Sequence, residues 1–220
     1  MCYMVNLMEN TIKLTAQQLF YLATLMDAEF IDYSYVSAMG NVGDSFRLFE
    51  SRVRSELVDA GILSEDFNGD VEIIENVRKL LEPVCRSFEE LTVDIIQTGD
   101  AVDVVSYHFH LKDDCVTMIY GADDFLNLCE VSTATVKEVI QGILPNDYSA
   151  VTGTLDKEIE EERITRIVSV KSVVPDGESV VEVFFEYDSK MCKENEDDQV
   201  VVLDKEAFID ECMTALQGVI

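Results

Sequence analysis

Apolar residues recur at three- and four-residue spacing from Leu19 through Leu22 to Leu25 and Met26, with Phe20 and Tyr21 widening the stripe. Just before them Thr15-Ala16-Gln17-Gln18 has the spacing of a capping box, in which cap hydroxyl and third-position amide satisfy each other's exposed backbone donors. A helix is predicted there, and the aromatic, glycine-bearing stretch Tyr33 to Gly43 reads as a loop. A second helix, starting near Asp44 or Ser45, places Phe46, Phe49, Val53 and Leu57 on one side and stops at Gly61. Ile62-Leu63 and Val71-Glu72-Ile73 then bracket the turn Asp66-Phe67-Asn68-Gly69-Asp70 as a short hairpin. A third helix carries Ile74, Val77, Leu80, Leu81 and Val84, with a kink or restart expected at Pro83.

From Leu91 the period changes to two. Leu91 to Ile96, Val102 to Leu111 and Cys115 to Tyr120 are strand-like and joined by the short turns Thr98-Gly99-Asp100 and Asp113-Asp114, so they must run antiparallel as a meander. In the long middle strand Val105, Tyr107, Phe109 and Leu111 face one way, and Ser106, His108, His110 and Lys112 the other. Helical spacing returns at Phe125, Leu126, Leu128 and Cys129 behind Asp123-Asp124, and again from Ser132 or Thr133 through Val136, Val139, Ile140 and Ile143. The acidic run Asp156 to Glu162 reads as a solvated helix turn. Ile164 to Val174 and Ser179 to Asp188 form a hairpin about Pro175-Asp176-Gly177. Lys190 to Gln199 reads as a polar excursion, Val200 to Leu203 as a strand, and Asp204 as the cap of a last helix striped by Phe208, Ile209, Cys212, Met213 and Leu216 before Gly218.

Helices, meander, helices, meander and helix make an α+β fold, with an antiparallel sheet built from two three-stranded meanders related by a pseudo-two-fold and helices packed on it. A single domain over residues 1–220 is expected, with one lobe over about 1–150 and a second over about 151–220, since domains commonly run to about 100–200 residues.

Charge alters the functional picture. The chain carries 44 Asp+Glu against 16 Lys+Arg, a net −28, and most of the excess falls after residue 86. Such a surface repels phosphate backbones and anionic headgroups, which argues against nucleic-acid binding; residues 44–86, where a winged helix would sit, are acidic as well. No apolar run approaches the ~20 residues needed to span a bilayer, and Met1 to Met8 lacks a basic n-region, so no membrane insertion and a cytoplasmic location are expected. The six cysteines at 2, 85, 115, 129, 192 and 212 form no C-x-x-C pair and read as reduced thiols. Cys115, Cys129 and Cys212 are expected in the core, and Cys2 and Cys192 at the surface.

Candidate chemistry is sparse. His108 and His110 project from one strand face as two metal ligands would, but no third ligand is identifiable, and both read as polar residues on a solvated face. The Asp66 to Asp70 turn fails as a calcium loop, because Val71 and Val77 stand where glycine and the bidentate glutamate belong. Neither a nucleophile elbow nor a phosphate-binding glycine loop nor a dinucleotide fingerprint occurs, so the expectation is a non-enzyme without cofactor or metal.

Three features carry a resemblance: Lys13-Leu14-Thr15-Ala16-Gln17-Gln18-Leu19-Phe20-Tyr21-Leu22; Leu57-Val58-Asp59-Ala60-Gly61-Ile62-Leu63 leading through Asn68-Gly69-Asp70-Val71 into a helix; and the two sheet segments with their closing helix. In this order the chain resembles the EspG-like chaperones of type VII secretion, including small cytosolic proteins of Gram-positive bacteria encoded with secreted toxin substrates. The resemblance implies a cytosolic adaptor that binds a helical-hairpin secretion substrate through a sheet-derived loop and neighbouring helices. No binding residue of that family matches a motif here. The candidate contact residues are therefore the turn Lys112, Asp113 and Asp114 and the apolar end of the last helix, Met213, Leu216, Val219 and Ile220. The alternative is an acidic immunity-type inhibitor that neutralises a basic toxin, which the net charge suits.

Overall fold

A computed structural model of the chain describes residues 11–28, 31–40, 46–99, 102–122, 124–155, 159–173 and 179–216. It is an α+β protein with a large antiparallel sheet and, among the described residues, six α-helices. The chain divides into two compact units. One contains Met1–Asn6, Glu89–Phe109 and Val131–Ile220; the other contains Leu7–Phe88 and His110–Glu130.

The second of these units is built on helices. Strand β1 (Ile12–Leu14) leads into α1 (Ala16–Leu25), whose capping box forms as the spacing requires: Gln18 N donates to the Thr15 hydroxyl and Thr15 N to Gln18 Oε1. Tyr33–Ser37 is a short helix, α2, where a loop was expected; Asp32 caps it by accepting from Ser34 N. Helix α3 (Phe46–Asp59) ends at Gly61, which takes φ +67°, a conformation that costs glycine nothing. Strands β2 (Leu63–Glu65) and β3 (Val71–Ile73) pair as the expected hairpin. The Asp66 carboxylate accepts from the backbone N–H groups of Asp70 and Asn68, which holds its pKa below the usual range.

Helix α4 (Glu75–Arg86) continues through Pro83 without restarting there. Pro83 cannot donate to the Lys79 carbonyl, and on the adjoining residue the Leu80 carbonyl receives the Thr117 hydroxyl at 2.9 Å. Thr117 is almost wholly buried. Replacing it with valine keeps the volume and removes the donor, so Thr117→Val is expected to cost about 1–3 kcal/mol, read as a lower urea midpoint at unchanged slope. The core of this unit joins Leu14, Leu19, Leu22, Phe49, Val53, Leu57, Val77, Leu81 and Val84 to Ile119 and Leu128 of its strands.

Four strands, not three, make up the first sheet segment: β4 (Glu89–Gln97), β5 (Asp103–Lys112), β6 (Cys115–Ala122) and β7 (Phe125–Val131). The segment Phe125–Val131, read as helical, is a strand held between the preceding strand β6 and the remote β1, where Leu126, Asn127 and Leu128 pair with Leu14, Lys13 and Ile12. The strand order in the helical unit is β1-β7-β6-β5, with β5 passing from one unit to the other between Phe109 and His110.

In the other unit the order is β5-β4-β9-β10-β11-β12-β8, from β8 (Gly153–Thr154), β9 (Ile164–Val173), β10 (Val180–Tyr187), β11 (Lys190–Glu194) and β12 (Val200–Val202). The second segment is thus also four-stranded, since β11 occupies the supposed polar excursion. Its hairpin with β10 turns on Asp188 and Ser189, both at positive φ, as a tight two-residue turn requires. Helices α5 (Thr133–Ile143) and α6 (Lys205–Leu216) belong to this unit. Asp204 caps α6 by accepting from Ala207 N, and that bond holds its pKa low. Phe208 of α6 meets Phe184 of β10 edge-on at 5.0 Å between centroids. In the acidic run, Glu161–Arg163 forms an exposed 3-10 turn. The turn Pro175-Asp176-Gly177, the caps expected at Asp44, Ser45 and Asp123, and Gly218 lie outside the described residues.

Candidate functional site

The turn between β5 and β6 consists of Asp113 and Asp114, both exposed, with Asp113 in the left-handed region at φ +53°. Asp accepts this conformation more readily than most residues because its short side chain hydrogen-bonds locally. Lys112 is held back from the tip: its Nζ lies 3.2 Å from Glu82 of α4. The tip itself therefore presents two carboxylates next to a neutralised lysine, a small acidic knob on a two-residue turn. On α6, Met213 is half-buried. Leu216 is the last residue of that helix, its side chain falls outside those described, and Val219 and Ile220 fall outside altogether.

The two histidines have separate partners. His108 Nδ1 lies 2.7 Å from Glu90 Oε1, and both side chains are largely buried. His110, expected on a solvated face, is instead 2% exposed and shares a 2.8 Å hydrogen bond with the Tyr35 hydroxyl. The reason is α2, which supplies Tyr35 from a stretch read as loop. Among the described residues no group of three or more His, Cys, Asp or Glu side chains could hold a metal ion. An open surface cleft along α3 is lined by Arg47, Glu50, Arg54 and Glu65 with a single apolar residue, Val58. Arg54 is committed there to Glu65 and to the Gly69 carbonyl. Small-molecule sites are mostly apolar with a few converging polar groups, which is not the character of this cleft.

Two cysteines exchange the places expected of them. Cys115 opens β6 directly after the acidic turn and is exposed, whereas Cys192 is sealed by β11 against Tyr187 and Val202. Burial pushes the thiols of Cys85, Cys129 and Cys192 up to about 11, and that of Cys212 further in the same direction. Iodoacetamide at mildly alkaline pH is therefore expected to alkylate Cys115 in the folded protein and to reach Cys85, Cys129, Cys192 and Cys212 only after denaturation. Peptide mapping by mass spectrometry checks the order.

No family model matches the sequence, and no curated protein matches it either. The fold does have a counterpart among solved structures. The Mycobacterium tuberculosis type VII secretion system chaperone EspG5, solved in complex with a PE25-PPE41 dimer, superposes with a TM-score of 0.63 over 96% of this chain and 97% of that chain, at 8% identity.

The fold is EspG-like. At that identity the likeness is one of architecture: similar helices and sheet in a similar order, carried by different residues. No helix among the described residues is long and apolar enough to cross a membrane.

Proposed function

We propose that this chain is a non-enzymatic cytoplasmic chaperone that binds a helical protein destined for type VII secretion and keeps it soluble until export. The observation that supports this reading best is the EspG-like fold, matched along nearly the full length of both chains. EspG5 was solved with a PE25-PPE41 dimer bound, so the architecture is one that can hold a protein partner. The candidate contact surface is the Lys112-Asp113-Asp114 turn, with the apolar positions Met213, Leu216, Val219 and Ile220 at the end of the chain as further contacts. An exposed acidic turn suits a partner surface bearing Lys or Arg, and it disfavours self-association between copies of charge −28.

The test is co-expression with tagged helical-hairpin secreted proteins of the same genome, followed by titration of the purified pair. A stoichiometric complex is expected, and the double reversal Asp113→Lys with Asp114→Lys is expected to weaken it about tenfold or more through lost charge complementarity. Unchanged affinity would remove the turn from the interface. Failure of every such protein to bind, or turnover of a metabolite by the purified chain, would overturn the chaperone reading.

A further inference from the structure

The helices of the sheet-rich unit cover one face of its strands. Phe208 of α6 packs on Phe184 of β10, and Arg166 of β9 donates to the Ile143 carbonyl at the end of α5. Phe184 lies opposite Val168, and Val170 opposite Val93, so these residues share the covered face, and all of them are buried. The intervening residues point the other way. They form three rows across β10, β9 and β4: Phe185–Ile167–Ile96, then Val183–Ser169–Asp94, then Val181–Lys171–Thr92. The Ser106 hydroxyl donates to Asp94, which puts Ser106 of β5, and Val104 two residues away, on this same face.

The solvated face of an antiparallel sheet ordinarily carries polar residues. Here Val104, Val181 and Val183 are 53%, 51% and 49% exposed, and Phe185, Ile167 and Ile96 are half-buried beside them. Val104, Val181, Val183, Ile167 and Ile96 thus leave apolar surface on this face, the kind that marks an interaction site in a folded protein, while Phe185 at its edge packs against the Tyr187, Cys192 and Val202 cluster. Strands β4, β9 and β10 each have a neighbouring strand on both sides, so no incoming segment can add to the ladder here. An occupant must lay side chains on the face, as an amphipathic helix does with residues at i, i+3, i+4 and i+7.

Charge selects among occupants. Exposed Glu161 and Glu162 lead into β9 at the Ile167 end, and Asp94 sits in the middle row; Lys171 is the one cation in the three rows. A second copy of this chain would bring like rims and a further −28 into contact. We infer that this face is a second protein-docking surface, for an amphipathic helix whose aliphatic ridge is flanked by Lys or Arg. It is separate from the Lys112-Asp113-Asp114 turn and stands whether or not the partner at that turn is a secretion substrate.

The probe is a synthetic leucine-ridged helix with lysine flanks, titrated into full-length protein labelled at Ile and Val methyl groups. Methyl resonances of Val104, Val181, Val183, Ile96 and Ile167 are expected to shift and saturate, while those of the buried Val136 and Ile140 stay in place. Val183→Asp, which puts an uncompensated charge under the ridge, is expected to weaken binding about tenfold or more; Val104→Asp on the neighbouring strand provides a second variant, and both should keep the wild-type unfolding midpoint. High salt should weaken the complex further. Absence of saturable shifts at these methyls, or equal affinity for the same helix with glutamate flanks, overturns the inference. So does a self-associated species in sedimentation that Val183→Asp dissolves, because the face would then belong to a second copy.

Discussion

Phe184→Ala is expected to lower the unfolding free energy by about 3–5 kcal/mol, among the largest losses any single truncation in this chain should produce. The ring is fully buried. It stands opposite Val168 in the β9–β10 register and receives the edge of Phe208, so truncation opens a cavity between sheet and helix and removes an aromatic pair as well. Strand β10 is hydrogen-bonded on both sides and cannot collapse into the hole, which favours the upper part of the range. One residue earlier, Val183 is 49% exposed on the opposite face. Val183→Ala should therefore change stability by no more than about 0.5 kcal/mol, the ordinary result at an exposed position. Urea unfolding of the two variants checks the contrast. A loss under 1.5 kcal/mol for Phe184→Ala, about the limit for a well-tolerated core exchange, would mean that α6 does not seat against this strand in solution.

That contrast follows from alternation, the part of the sequence that could be read without the structure. Local signals were legible: the Thr15–Gln18 box, the glycine stop at Gly61 and the β2–β3 hairpin all rest on interactions within a few residues. Where the deciding partner is remote, the same residues mislead. Leu126, Leu128 and Cys129 satisfy a helical spacing as well as a strand's, and the strand is selected by its place between β6 and Ile12–Leu14, the latter more than a hundred positions earlier. His110 follows the alternation of its strand correctly, but α2 is stacked on that face, so the residue is buried rather than wet. The Asp188-Ser189 turn lacks the glycine that announces most two-residue hairpins, and β11 was hidden with it. Likewise, exposure of Cys115 and burial of Cys192 depend on which neighbours cover each strand end, which composition does not encode.

The candidate surfaces divide the same way. An exposed Asp113-Asp114 turn could be read from two adjacent acids between two strands, because a two-residue connection has nowhere to go but the sheet's end. The exposed apolar positions Val104, Val181 and Val183 could not. In sequence these valines are ordinary strand residues, and they become unusual only when the register shows Ile167 and Ile96 beside them with the helices on the other side. Acidic residues keep such a face usable: a surface of charge −28 repels its own copies over the distance at which an exposed apolar patch would otherwise cause aggregation.

The second large effect belongs to the helical unit. Leu81 is fully buried on α4, in line with Val77 and Val84 and within the core that contains Leu14, Leu22 and Ile119. Leu81→Ala is expected to cost about 2–5 kcal/mol, whereas Leu81→Met, which nearly conserves volume, should cost less than about 1.5 kcal/mol. Glu82, the next residue, turns outward to Lys112, and because that pair is solvent-exposed Glu82→Ala should cost at most about 1 kcal/mol. The order Leu81→Ala, Leu81→Met, Glu82→Ala, measured by urea unfolding, reports on Pro83. A helix that broke at the proline would free the last turn to shift, and the cavity left by Leu81 could then close cheaply. A continuous helix, with the Leu80 carbonyl tied to Thr117, holds the backbone on both sides of the gap and keeps the cost of truncation high.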